Sequence, residues 1–212
     1  EPVGAPAGEV IAPFVEELAR YVEANGIERP AIVGHSMGGF AGLMLARRHP
    51  ERVGRVMIVD SLPFFSAMFG PHVTAANVEP QARMMRDQIA AMDDASFAAQ
   101  QSGGAGRLVK TEARRAEVVA WSQASDRATF AQAMYEVMIT DLRAELAQVA
   151  TPLTVLYAYD PAMGPEAMID GLYRGSYAGA PNVTFVRVDG AYHFMMFDQP
   201  AAFQAAVAGF LR

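Results

Sequence analysis

Strand-like runs alternate with helical stretches at both ends of this chain, and alternation of that kind implies a parallel sheet covered by helices. The first half begins with Ile11, Phe14, Leu18 and Tyr21 at spacings of three and four, with Val15 and Val22 beside them, which predicts an amphipathic helix ending near Asn25-Gly26. "PAIVG" follows as a short apolar strand. Residues 37–49 are helix-permissive, and "ARRHP" sets cations at the last turn before Pro50. "VGRVMIVD" is a second strand, continuously apolar at its end as a strand covered on both faces should be. "PLTVLYAYD" and "NVTFVRVDG" return as strands late in the chain, and "QPAAFQAAVAGFL" closes it as a helix.

Between these halves, residues 61–149 lose their strand-like runs. "EPQARMMRDQIAAM", with Met85, Ile89 and Met92 on one stripe, "TEARRAEVVAWSQAS" and "SDRATFAQAMYEVMITDL", with Phe130, Met134 and Val137 in register, read as successive helices. The expected organisation is therefore one α/β core, residues 1–60 and 150–212, with an all-helical insertion at 61–149 folded over the sheet. Residues 1–8, mostly Pro, Gly and Ala, read as a loop. "SGGAGRLVKT" lacks the glycine that a phosphate loop needs where Val109 stands, and no strand precedes it, so it reads as a linker between helices of the insertion. The methionine stripes are read as packing.

Composition narrows the chemistry. With 212 residues and 52% apolar content the chain can bury one sizeable core. A net charge of −6 with scattered cations argues against a nucleic-acid surface. There is no cysteine, so disulfide and thiolate chemistry are excluded; the four histidines, at 35, 49, 72 and 193, are too dispersed to suggest a metal site. No cofactor is expected. No apolar run is long enough to span a bilayer, and the first ten residues lack the pattern of a signal peptide. The compartment stays open between cytoplasm and export with the signal already removed.

Gly34-His35-Ser36-Met37-Gly38 fits G-x-S-x-G, and it falls between a strand and a helix, the context that such a nucleophile turn requires. A nucleophile standing on a sharp turn needs small residues two before and two after it, and Gly34 and Gly38 supply them. The helix that follows aims its free amides at any oxyanion formed there, with the Met37 amide as one donor. A serine needs a base. His35 is expected on the far side of the turn, His49 at a helix end and His72 in the insertion, which leaves His193, in the loop after the last strand. The acid should end a strand between them: Asp160, closing "TVLYAYD", is preferred, and Asp60, closing "RVMIVD", is the alternative.

At these residues, "VGHSMGG", "YAYD" and "GAYHFMMFDQP" resemble the nucleophile, acid and histidine segments of the α/β-hydrolase superfamily, in particular its capped members, from residue 9 onward. The resemblance implies Ser36 as nucleophile, Asp160 as acid, His193 as base and residues 61–149 as a lid. It implies a small-molecule acyl substrate, such as a carboxylic ester cleaved through an acyl-enzyme. Acyl transfer, carbon–carbon bond hydrolysis, cofactor-free peroxidation and a non-catalytic binding module are the alternatives. His35, Phe64, Trp121 and Phe194 are candidate pocket residues. The glycine that often precedes the acid in such proteins is replaced here by Tyr157, Ala158 and Tyr159.

On this reading Asp160→Asn impairs turnover, whereas Asp60→Asn is mild. The superfamily also places four strands and an oxyanion loop before the first helix seen here, so "AIVG" is expected to form an open edge that an upstream segment or a second chain would complete. Residues 1–212 expressed alone should then aggregate, swap strands or be nearly inactive, which size-exclusion chromatography and an esterase assay would show.

Overall fold

The computed structural model describes residues 8–212; the loop expected at residues 1–8 lies, apart from Gly8, outside the described residues. Four strands, β1 (Ala31–His35), β2 (Arg55–Val59), β3 (Leu153–Tyr159) and β4 (Val183–Asp189), form one parallel sheet in the order β1-β2-β3-β4. Consecutive parallel strands need crossovers. These are α2 (Met37–Arg48) between β1 and β2, and α7 (Glu166–Ser176) between β3 and β4, while α3 (Ala75–Ala91), α4 (Asp94–Leu108), α5 (Glu112–Ala124) and α6 (Arg127–Ile139) all fall between β2 and β3. The chain opens on α1 (Ile11–Ala24) and closes on a four-residue helix α8 (Met195–Asp198) followed by α9 (Pro200–Leu211). None of the described helices is long and apolar enough to cross a membrane.

The pleat sends alternate side chains to opposite faces. Val56 and Ile58 of β2 join Val155 and Tyr157 of β3 in the main core with α1, α2 and α7, whereas Met57, Val59, Leu156 and Ala158 meet Met195 and the α9 residues Phe203 and Val207 on the other face. β1 pairs only with β2 among the described residues, and Val33 on it is 42% exposed.

Two details depart from the sequence pattern. On α1 the buried stripe is Ile11, Val15, Ala19 and Val22, while Phe14 and Tyr21 are more than half exposed, so the helix is turned from the face its largest side chains suggested. The expected linker at 102–111 is helical as far as Leu108, and only Val109, Lys110 and Thr111 connect α4 to α5. Three glycines disfavour that helix by about 1 kcal/mol each relative to alanine. Offsetting this, Asp93 caps its N-terminus by accepting from the Ser96 amide, and Phe97 is buried against Ile89 and Ala131.

The helical segment is tied to the start of α1 by Glu136. Val10, the residue before α1, offers no side chain to cap the helix; the Glu136 carboxylate on α6 accepts from the Val10 and Ile11 amides instead, each at 2.7 Å, and from Gln132 Nε2 at 2.8 Å. Buried donors left without an acceptor cost about 1–3 kcal/mol. Glu136→Ala should therefore lower stability by about 2 kcal/mol, and Glu136→Gln, which keeps one acceptor oxygen, by roughly half of that. Urea denaturation followed by circular dichroism measures both; equal midpoints for wild type and the alanine variant would contradict the assignment.

Candidate functional site

The strand β1 delivers Ser36 to the carboxyl edge of the sheet. The chain reverses there so tightly that a Cβ on Gly34 would lie 2.2 Å from the Gly38 carbonyl oxygen, and one on Gly39 would lie 2.9 Å from the Gly34 oxygen and 3.0 Å from Ile58 Cγ2. Gly38, in contrast, faces open space. The glycine pair that the turn needs is therefore Gly34 and Gly39, not Gly34 and Gly38: what must be small is where helix α2 crosses strand β1, not the residue two after the serine. Ser36 adopts φ 54° and ψ −122°, a left-handed conformation costly for a side chain with a Cβ. Its amide is fixed by the Val59 carbonyl at 2.8 Å, and its hydroxyl does not cap α2. The Met37 amide is at the first position of α2, where no carbonyl of the same helix can reach it.

β2 ends in the same way. Asp60 has φ 50°, and its amide is held by the Leu156 carbonyl at 2.7 Å. Its Oδ2 accepts from His193 Nδ1 at 2.7 Å, while its Oδ1 accepts from the Ala158 amide at 2.9 Å and the Tyr173 hydroxyl at 2.8 Å. With Nδ1 donating to Asp60, neutral His193 carries its free lone pair on Nε2.

The geometry gives the two candidate acids, Asp160 and Asp60, different partners. Both aspartate side chains are 8% exposed, so burial does not distinguish them; register does. His35 pairs with Val59, which puts Ser36 and Asp60 at one level on adjacent strands, and Val59 pairs with Leu156, which puts Asp60 beside Tyr157. Asp160 is three residues, or about 10 Å, farther along. Its carboxylate is taken by Lys110 Nζ at 2.6 Å and the Ala162 amide at 2.9 Å, and the ammonium holds its pKa below the ordinary range.

The other candidates divide. Phe64 is fully buried among Ala67, Val78, Ala82 and Met138, which makes it core and not lining. Phe194 lies 4.8 Å from the His35 ring and 5.4 Å from His193, and half-exposed Trp121 on α5 reaches Phe194 at 6.3 Å, so the helical segment meets the histidine loop here. The contact is locked by Asp198, which accepts from the Lys110, Thr111 and Tyr192 amides, and by the Phe194 amide donating to the Leu108 carbonyl. Sequence reading missed Tyr173. Its signal was the spacing Ile169, Tyr173 on the buried stripe of α7, since a buried phenol requires an acceptor.

His35 lies beside His193. The two rings are 4.5 Å apart, and His35 Nε2 donates to the His193 carbonyl at 2.9 Å. Burial, reinforced by the neighbouring imidazole, lowers its pKa to about 4. Unfolding releases it to an ordinary value near 6.5, so between these values the unfolded chain binds the extra proton, and stability falls as pH drops from 6.5 towards 4. At about 1.4 kcal/mol per pH unit the loss approaches roughly 3 kcal/mol. His35→Gln should remove this component, so that the wild-type and variant stabilities converge or cross between pH 7 and pH 4.5 in parallel urea titrations; an unchanged difference would refute it.

The chain's likeness to known proteins agrees with this architecture. Residues 8–200 match the model of the alpha/beta hydrolase fold family. The chain is 28% identical over 172 residues to RutD of Cronobacter sakazakii, provisionally named a carbamate hydrolase; the match covers 80% of this chain and 62% of that protein. It is 27% identical over 198 residues to the pimeloyl-[acyl-carrier protein] methyl ester esterase of Salmonella agona, covering 91% of this chain and 74% of the esterase. Among solved structures, a hydrolase from Pseudomonas aeruginosa superposes with a TM-score of 0.74 at 25% identity, over 98% of this chain and 74% of that one. With the parallel sheet, its helical crossovers and the serine turn at the strand edge, these matches establish that the chain belongs to the alpha/beta hydrolase fold family.

Proposed function

We propose that this hydrolase is a serine hydrolase acting on a carboxylic ester or related acyl compound, with Ser36 as nucleophile, His193 as general base and Asp60 as the acid that orients it. The observation that carries the reading is the His193 Nδ1–Asp60 Oδ2 hydrogen bond at the same sheet edge as the strained Ser36 turn. In this mechanism His193 Nε2 removes the Ser36 proton as Oγ attacks the acyl carbonyl. The Met37 amide stabilises the oxyanion, and the imidazolium, paired with Asp60, gives its proton to the leaving alcohol. Water then repeats the sequence on the acyl-enzyme and restores Ser36. Residues 61–149 serve as a cap over this site, with Trp121 and Phe194 contributing an apolar wall.

The esterase and carbamate hydrolase among the relatives support an acyl substrate with a heteroatom leaving group. Asp160 has a different part, holding the α4–α5 connection through Lys110.

A fluorophosphonate probe should label Ser36 and no other serine, as read by peptide mass spectrometry. Ser36→Ala and His193→Ala should each reduce turnover of an aryl ester by several orders of magnitude, with the double variant little worse, because the members act as one unit. Asp60→Asn should be severely impaired, the imidazole being left in the wrong tautomer, and Asp160→Asn should retain turnover within about tenfold of wild type. An unlabelled native protein, or a reversed ranking of the two aspartates, would overturn the assignment.

A further inference from the structure

Among the described residues, Tyr173 is the one hydroxyl that hydrogen-bonds to the proposed acid. It lies on α7, 8% exposed, with its oxygen 2.8 Å from Asp60 Oδ1. Phenylalanine would fill the same space; burying a hydroxyl there costs free energy unless its hydrogen bond is used. Resting on the triad reading given above, we propose that Tyr173 is a positioning residue for catalysis: its hydroxyl, with the Ala158 amide, pins Asp60 Oδ1 so that Oδ2 stays directed at His193 Nδ1.

Three observations support this. Asp60 sits in a left-handed conformation, and a non-glycine residue persists there only where its surroundings over-determine it. Two donors on Oδ1 and one on Oδ2 define the carboxylate plane, and loss of either Oδ1 donor weakens the restraint on rotation about the bond that aims Oδ2. Tyr173 is itself held rigidly. Its ring stacks on Tyr157 at 4.4 Å and 20°, the Tyr157 hydroxyl donates to Asp170 Oδ1, and Arg187 Nη1 meets Asp170 Oδ2 at 3.2 Å. Burial, together with the Asp60 charge, also raises the Tyr173 pKa well above the ordinary phenol value, so the hydroxyl remains a donor across the working range. The titratable groups facing this unit are His193 and Tyr173 at Asp60, His35 at His193, and Tyr157 and Tyr177 at Tyr173.

The test compares Tyr173→Phe with wild type in the pH dependence of fluorophosphonate labelling of Ser36 and of aryl-ester turnover. Removing one hydrogen bond to a charged group should slow labelling and kcat about tenfold with KM within about twofold. It should also move the acid limb of the labelling profile to higher pH, because a carboxylate with fewer donors favours the imidazolium more strongly. Incorporation of 3,5-difluorotyrosine at position 173 strengthens the donor without changing its shape; labelling should stay near the wild-type rate and the acid limb should move to lower pH. A folded Tyr173→Phe variant with an unmoved acid limb overturns the proposal, even if it is less stable, since a merely structural role would leave the limb in place. If that variant does not fold, an unmoved limb in the difluorotyrosine protein overturns it. Asp60→Asn separates the two levels of inference: slow labelling by it beside an unaffected Tyr173→Phe sinks the Tyr173 role alone, and wild-type labelling by it sinks the triad reading.

Discussion

The site depends on one close approach, that of helix α2 to strand β1. Backbone meets backbone at Gly34 and the Gly38–Gly39 peptide, with no room for a Cβ at Gly34 and little at Gly39. Only such an approach lets the chain leave the strand and enter a helix within a single residue, and that residue is Ser36, forced to positive φ. The α2 helix consequently begins at the residue after the serine, so its first free amide belongs to Met37. Strain at Ser36 is thus a consequence of helix–strand packing. The buried body of α2, from Gly39 to Ala46, holds it in place.

The second strand repeats the device. Ser36 and Asp60 follow paired strand ends, both have positive φ, and each amide is held by a carbonyl of the next strand, Val59 for Ser36 and Leu156 for Asp60. The sheet therefore acts as a ruler: two side chains placed one step beyond paired residues must lie at the same height. His193, in the loop after β4, is drawn across to Asp60 instead of meeting the strand-end carboxylate nearer in sequence. Asp160 differs from Asp60 in both height and charge partner, since Lys110 pairs with it from the α4–α5 connection. Two aspartates with equally exposed side chains at one sheet edge thus meet unlike partners.

The alternation of strands and helices was legible because it rests on local patterns: all four strands and helices α1, α2, α5, α6 and α9 fall where apolar runs and turn residues indicated. The places of Ser36 and His193 were legible because each follows a recognisable strand. The carboxylate that meets His193 was not. Choosing between Asp60 and Asp160 needs the β2–β3 register, fixed by packing of both faces and not by any short stretch of sequence. The helix through Ser102–Leu108 was hidden for a different reason: its glycines carry a local signal for a loop, and the burial of Phe97 and Val109 that outweighs it is tertiary. Phe14 and Phe64 show the same limit in reverse, large apolar residues whose exposure or burial depends on which neighbour arrives.

The helical segment and the histidine loop are joined closely enough that motion of one must be felt by the other. Asp198 clamps the Lys110 and Thr111 amides and also the Tyr192 amide, one residue before His193, so a single carboxylate spans both elements. Phe194, one residue after His193, donates its amide to Leu108 at the end of α4 and touches Trp121 of α5 with its ring. His193 is therefore flanked on each side by a contact to the segment between β2 and β3, while its own carbonyl is tied to His35. A displacement of α4 and α5 large enough to admit a substrate would have to break these bonds or carry residues 192–194 along with it. Under the proposed mechanism the arrangement favours entry by a path that leaves the 108–111 connection in place, because the alternative would detach His193 from Asp60 at the moment of binding, when that mechanism requires the pair to be formed.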